Sequence, residues 1–244
     1  MKLYLFACLL AFFTLGTLSA QDCIKDFPFQ KGTLYEETSY DAKDAKTGKT
    51  VFTVTDLTTA GGKVEATVHS VHYDKNDVKG NESDFKIICE GNKLMFDVAG
   101  MMSGMQTPGP GGDKAKGMEM KMESGFIEMP RELSVGLALS DITMKMKMVD
   151  KASQTEVGTV TMLTSHRKVE AKENITTPAG TFECFKITGD VKTDTKLNMG
   201  MNIPSNTGKT VQYISKGVGM VKTMYYNSDG KLINYRILTK FKKQ

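Results

Sequence analysis

Apolar and polar residues alternate with a period of two through most of this chain, and helical periodicity is scarce. Successive side chains on a strand point to opposite faces, so a chain patterned this way must fold as half-buried β-strands. In KVEATVH, Val64, Ala66 and Val68 oppose Glu65, Thr67 and His69. In INYRILTKF, the alternation puts Ile233, Tyr235, Ile237 and Phe241 on one face and Asn234, Arg236, Lys240 and Lys242 on the other. LNMGMNI sets Leu197, Met199, Met201 and Ile203 against Asn198, Gly200 and Asn202. Turn signals separate the runs. Lys46-Thr47-Gly48-Lys49 and Ser228-Asp229-Gly230-Lys231 read as hairpin turns, and Thr177-Pro178-Ala179-Gly180 as a type I turn. Further breaks fall at Asp74–Asn81 and Pro204–Gly208. The spacing predicts an all-β fold, a single antiparallel meander of about a dozen strands forming a curved sheet or half-open barrel.

The first twenty residues depart from the pattern. Lys2, the uncharged apolar run Leu3–Leu15 and Gly16-Thr17-Leu18-Ser19-Ala20 read as a signal peptide cleaved after Ala20. The run is shorter than the roughly 20 residues a spanning helix needs. No later stretch is apolar enough to span a bilayer, so an exported, soluble, periplasmic or secreted product is expected. A lipid anchor is not expected, because Cys8 sits too early and Cys23 lacks small residues before it. Residues 21–244 are read as one β domain. Within it Ser103–Gly117, rich in glycine and proline, is read as a loop at about 103–117, with a short helix possible in Leu94–Met105.

The formal charge of the whole chain is +4, and removing Lys2 with the leader leaves +3. So weak a balance argues against a nucleic-acid partner, and Lys240, Lys242 and Lys243 read as a solvated end. Three cysteines follow the leader, Cys23, Cys89 and Cys184. An odd number in an exported chain suggests one disulfide and one free thiol, and three pairings are open. Cys23–Cys89 is preferred because it would tie a mobile N-terminus to a strand, stabilising the fold by roughly 2–4 kcal/mol.

Seventeen methionines are the second constraint. Met118, Met120 and Met122 form one row, Met144, Met146 and Met148 a second, and Met199 with Met201 a third, each with neighbours about 6.6 Å apart on one strand face. Glu119, Lys121, Glu123, Lys145 and Lys147 occupy the opposite faces, so the sulfur faces must turn inward or toward something apolar. Three uses compete: ordinary core, the wall of a pocket for an apolar ligand, and soft ligands for copper(I). Regular alternation with Ile142, Leu197 and Ile203 on the same rows is what an apolar wall looks like, and no metal site is assigned.

Catalytic chemistry is missing from the pattern. There is no Gly-x-Ser-x-Gly elbow, His-Glu-x-x-His helix, phosphate loop or dinucleotide fingerprint. His69 and His72 differ by three and face opposite ways on a strand, His166 lies far off, and all three are read as solvent-facing. The acidic run Asp74, Asp77, Glu82 and Asp84 fails the calcium-loop pattern at Val78. Cys184, between Phe182 and Phe185, has no flanking cation to activate it and is read as a buried thiol.

Five stretches, in order, resemble an exported bacterial cell-envelope family of unknown function, the 3108-like domain: DCIKDFPFQKGTLYEETSYD (Asp22–Asp41), IICEGN (Ile87–Asn92), MPRELSVGLALSD (Met129–Asp141), VEAKENITTPAGTFECFKI (Val169–Ile187) and SKGVGMVKTMYYNSDGKLINYRIL (Ser215–Leu238). The resemblance implies one mostly antiparallel β domain and a kinship with the half-open barrels of lipoprotein carriers, which curve a sheet around an apolar cavity. It supplies no catalytic residue, cofactor or established ligand. The combined expectation is a non-catalytic carrier or binding module with a methionine-lined pocket for a lipid-like ligand. The alternative is an envelope structural or protein-interaction domain whose methionines are filled core.

Overall fold

The computed structural model describes residues 30–103, 117–123, 125–198 and 202–243. Thirteen strands in these residues form one antiparallel sheet that curls into a half-barrel. They are β1 (Leu34–Asp41), β2 (Lys46–Ala60), β3 (Lys63–Asp74), β4 (Lys79–Glu90), β5 (Lys93–Asp97), β6 (Met118–Met122), β7 (Phe126–Pro130), β8 (Ile142–Asp150), β9 (Glu156–Thr177), β10 (Gly180–Leu197), β11 (Asn202–Ser215), β12 (Gly219–Asn227) and β13 (Leu232–Lys242). One short helix, α1 (Val98–Ser103), follows β5. The spatial order is β6-β8-β9-β10-β11-β12-β13-β1-β2-β3-β4-β5-β7. The meander is broken twice: β1 and β13 pair, and β6 and β7 lie at opposite ends of the sheet.

Short polar turns set most hairpins. Ser228–Lys231 joins β12 to β13 with Gly230 at φ 75°, while the Asn227 side chain accepts from the Asp229 and Lys231 amides. Two turn readings are corrected. The β1–β2 turn is closed by Asp41, whose Oδ1 accepts from the amides of Lys43 and Ala45, with Asp44 at φ 62°. Gly48 instead lies inside β2, where a Cβ would come within 2.7 Å of the Tyr73 carbonyl oxygen, so glycine permits close strand approach there. Pro204–Gly208 likewise falls within β11, not in a break.

A sheet with one apolar face needs something to cover it. Here the sheet covers itself by curling, and the connection between β7 and β8 lies across the main core as a strap. The Leu139 amide donates to the Arg167 carbonyl, the Val169 amide to the Leu137 carbonyl, and the Gly136 amide to the Val169 carbonyl. The Arg167 side chain returns a hydrogen bond to the Ser140 carbonyl at 3.0 Å. Leu133, Leu137 and Leu139 thereby join Phe52, Val54, Val68, Phe85, Val169 and Ile187 in one core. The strap docks where β9 kinks: His166 adopts φ 50°, and the β9–β10 register shifts between Thr188 and Asp190. Above the kink β9 pairs with β8 instead.

Helix α1 packs against β4, β6 and β7, so it touches both ends of the sheet. Met101 joins the main core and Met102 a second cluster formed by β6, β8 and β9. Truncating a strap anchor removes buried area that nothing else fills. Leu139→Ala is expected to cost about 2–5 kcal/mol in urea denaturation. The exposed strap residue Val135, changed to alanine, should cost no more than about 0.5 kcal/mol.

Candidate functional site

Strand pairing brings two of the expected methionine rows together on one face. Met120 lies opposite Met148 and Met122 opposite Met146, while Met144 lies opposite Met162 on β9. That face continues through Val160 and Thr195 onto β10 and is the side carrying the main core, the inside of the curl. Met146 and Met148 are buried; Met120, Met122, Met144 and Met162 are half-buried; Met118, at the sheet edge, is exposed. Glycine at 158 makes room for the row, since a Cβ there would meet the Met148 Cε at 2.7 Å and the Lys196 carbonyl at 2.5 Å. Met199 and Met201 lie outside the described residues. The stretch read as one strand from Leu197 to Ile203 divides between β10, which ends at Leu197, and β11, which begins at Asn202.

Among the described residues, two surface cavities stand out. One of about 550 Å³ lies at the kink of the sheet, lined by Ser165, Asp190, Lys192, Thr207, Lys209 and Asp229 among others. The other, of about 270 Å³, separates Phe126–Glu128 of the edge strand β7 from Ser140–Thr143. Neither is lined by methionine.

The inner face also carries a polar cluster, two of whose members, His72 and Arg236, the sequence pattern puts on the solvent side. Glu37, Thr50 and His72 stand side by side across β1, β2 and β3. Arg236 reaches the same space from β13, and this corrects the reading of INYRILTKF. A register shift between Glu36 and Glu37 sets Lys240 opposite Glu36 but Leu238 opposite Glu37. Thr239 is thus the extra residue, and the inward parity passes from Phe241 to Leu238 and Arg236. Ile233 is consequently exposed. The buried Leu238, two residues from Arg236, was the available signal that position 236 faces inward.

The guanidinium Nη2 of Arg236 donates to the Tyr225 hydroxyl at 2.9 Å, and Nη1 lies 3.8 Å from Glu37 Oε2. Thr50 Oγ1 and His72 Nδ1 are 2.9 Å apart. Burial pushes the Glu37 carboxyl up against the opposing pull of Arg236. Burial and, secondarily, Arg236 hold His72 below its ordinary value, so the imidazole is neutral over a wider range of pH. The Tyr225 phenol is the largest influence raising Arg236. His72 is therefore half-buried, not solvent-facing as expected, whereas His69 pairs with Asp84 and Glu82 and His166 with Asp190 at the surface.

Cys89 is fully buried and disulfide-bonded, and its expected partner Cys23 lies outside the described residues. Cys184 is a free, fully buried thiol pushed up to about 11, first by burial and then by Glu173 and Glu183. At pH 8 only about a thousandth of such a group is thiolate. Alkylation by iodoacetamide at pH 8 is accordingly expected to be negligible in the native protein and rapid in guanidinium, as followed by intact-mass measurement. Among the described residues no group of three or more His, Cys, Asp or Glu is placed to hold a metal ion. No helix among them is long and apolar enough to cross a membrane.

The profile of the DUF3108-like family matches residues 30–238. Among solved structures, the chain is similar to a "putative lipoprotein" from Parabacteroides distasonis, with 23% identity and a TM-score of 0.70, covering 88% of this chain and 97% of that one. It is also similar to a "putative exported protein with YmcC-like fold" from Bacteroides fragilis, with 17% identity and a TM-score of 0.67, covering 89% and 98%. At these identities the likeness is one of fold. No curated protein matches the chain.

Proposed function

The chain belongs to the DUF3108-like family, a family without an assigned activity, and on that premise we propose that it is an exported, non-catalytic envelope module whose inner sheet face takes up a lipid-like ligand. Export is supported by the leader-like Leu3–Leu15 run and by the exported and lipoprotein descriptions of the two structural neighbours. The observation that carries the ligand reading is the state of the methionine rows. The two rows on β6 and β8 turn into the curl, and Met120, Met122 and Met144 stay half-buried beside the packed Met146 and Met148. Unbranched thioether side chains on such a wall adapt to an acyl chain at little cost in strain.

A second reading, a structural or protein-interaction domain with a filled core, is favoured by one observation: neither cavity touches a methionine. Replacing Met144, Met146 and Met148 by leucine separates the two. Filled core predicts a loss of under about 1.5 kcal/mol per site and no other change. The ligand reading predicts that the folded variant loses uptake of a fluorescent acyl probe. Native mass spectrometry of gently purified protein should also show a bound adduct of lipid mass, and repeated recovery of bare protein would count against a carrier.

The Cys89 disulfide is assigned to Cys23. Non-reducing peptide mapping is expected to join these two residues, and a link to Cys184 would overturn the assignment.

A further inference from the structure

The two ends of the sheet are joined by one run of chain that changes partners. The Glu123 amide, following β6, still donates to the Lys145 carbonyl of β8, whereas the Gly125 carbonyl already accepts from Val98, just after β5. Met118–Met122 thus extends the β8 edge and Phe126–Pro130 the β5 edge. On the β6 side of the crossing, α1 packs against β4, β6 and β7. On the β7 side, the cavity of about 270 Å³ separates Phe126–Glu128 from Ser140–Thr143. Main-chain groups point into it from both rims. Arg131 donates to Asn92 and Val98 to Gly125, so the hydrogen-bonded pairs between β5 and β7 fall on Ile127 and Met129. The amides and carbonyls of Phe126 and Glu128 then face away from β5, toward the cavity. On β8, Lys145 turns its carbonyl toward β6, and by the same alternation Thr143 faces the gap. Among the described residues no backbone hydrogen bond joins the two rims.

We propose that this slot receives a short extended segment of a partner protein, which pairs with the free edge of β7 and carries a basic side chain. The proposal stands whether the inner face is filled core or a ligand surface. The contact is short, because three residues of strand span about 10 Å and Pro130 has no amide to offer beyond them. An extended chain presents donors and acceptors at the repeat that Phe126 and Glu128 display, which is how a strand is added to a sheet edge. Charge complementarity selects the cation. The lining includes the carboxylates of Glu128 and Asp141 and no basic side chain. Lys93 pairs with Glu128 at 2.7 Å and the buried Arg167 attracts Asp141, but neither cation lines the cavity. Phe126 is 52% exposed, the one aromatic among the exposed large apolar side chains of the described residues, and a cross-strand neighbour would cover it. Ile127 and Ile142, both half-buried, offer apolar contact to a side chain of the opposite parity.

The test is fluorescence anisotropy with a capped, labelled TTIKITT peptide, its TTIEITT counterpart and a backbone N-methylated TTIKITT. The wild type should bind TTIKITT at least about threefold more tightly than TTIEITT, and the N-methylated peptide about tenfold or more weakly than TTIKITT. Glu128→Pro removes an amide that faces the slot and none that serves the sheet. This variant should fold, as checked by circular dichroism, and lose about tenfold or more in TTIKITT affinity. Asp141→Lys leaves the β7 edge intact and should shift the preference to TTIEITT. That reversal keeps the test decisive if Glu128→Pro does not fold. No binding of TTIKITT up to millimolar concentration, the result expected if the chain's own residues fill the slot, would overturn the proposal. So would TTIKITT binding unmoved by both substitutions. A concentration-dependent dimer in analytical ultracentrifugation that Glu128→Pro abolishes would make a second copy of this chain the occupant and overturn the foreign partner.

Discussion

The organising constraint is the one-sided burial of a single large sheet. Every strand here presents an apolar face, and with one six-residue helix among the described residues there is no second layer to cover it. The sheet therefore curls until its own strands oppose one another, and the strap from β7 to β8 fills what the curl leaves open. Arg167 shows how tightly these devices are coupled. Its carbonyl accepts from Leu139 and its guanidinium donates to Ser140, so the kinked strand and the strap stabilise each other. Burial costs this arginine some basicity, and the nearby Asp141 offsets part of that cost.

Curling creates two chemically different interiors on one face. Toward the β6 end, cross-strand pairs of methionine and Val160 make a soft apolar surface bounded by Met102 of α1. Around β13, β1, β2 and β3, the stacked pair Tyr35 and Phe52 lies beside the polar row of Glu37, Thr50 and His72. The carboxyl of Glu37 raises the Tyr35 phenol further after burial has already done so. Apolar area and hydrogen-bonding groups close together inside a concave sheet are what an amphiphile requires of a binding surface.

Local sequence carried much of the fold. Strand content, the hairpins at Thr177–Gly180 and Ser228–Lys231, and the inward turn of Val64, Ala66 and Val68 all follow from residue type and a period of two. So does the inward turn of Met146 and Met148, because the lysines between them had nowhere else to go. The failures share one cause: alternation counts residues and is blind to irregularities in pairing. One extra residue at Thr239 exchanged the faces of β13, sending Ile233 out and Arg236 in. Gly48 carries a turn-like signal but serves a close contact with the Tyr73 backbone, which no local rule distinguishes.

What the sequence determined by itself was the kind of surface each strand would have, because side-chain chemistry and backbone geometry are local properties. It determined that most strands would be joined to their sequence neighbours by short turns and that Met146 and Met148 would be interior residues. Only the tertiary structure decided which strands became neighbours across the curl, that the 131–141 connection would fill the core, and that Glu37, His72, Tyr225 and Arg236 would share one space. Those outcomes depend on bulges and on the pairing of β1 with β13, contacts some 200 residues apart in the chain, for example Thr38 with Thr239 at a separation of 201. The position of such contacts is set by packing the whole sheet, so it cannot be read from any one segment.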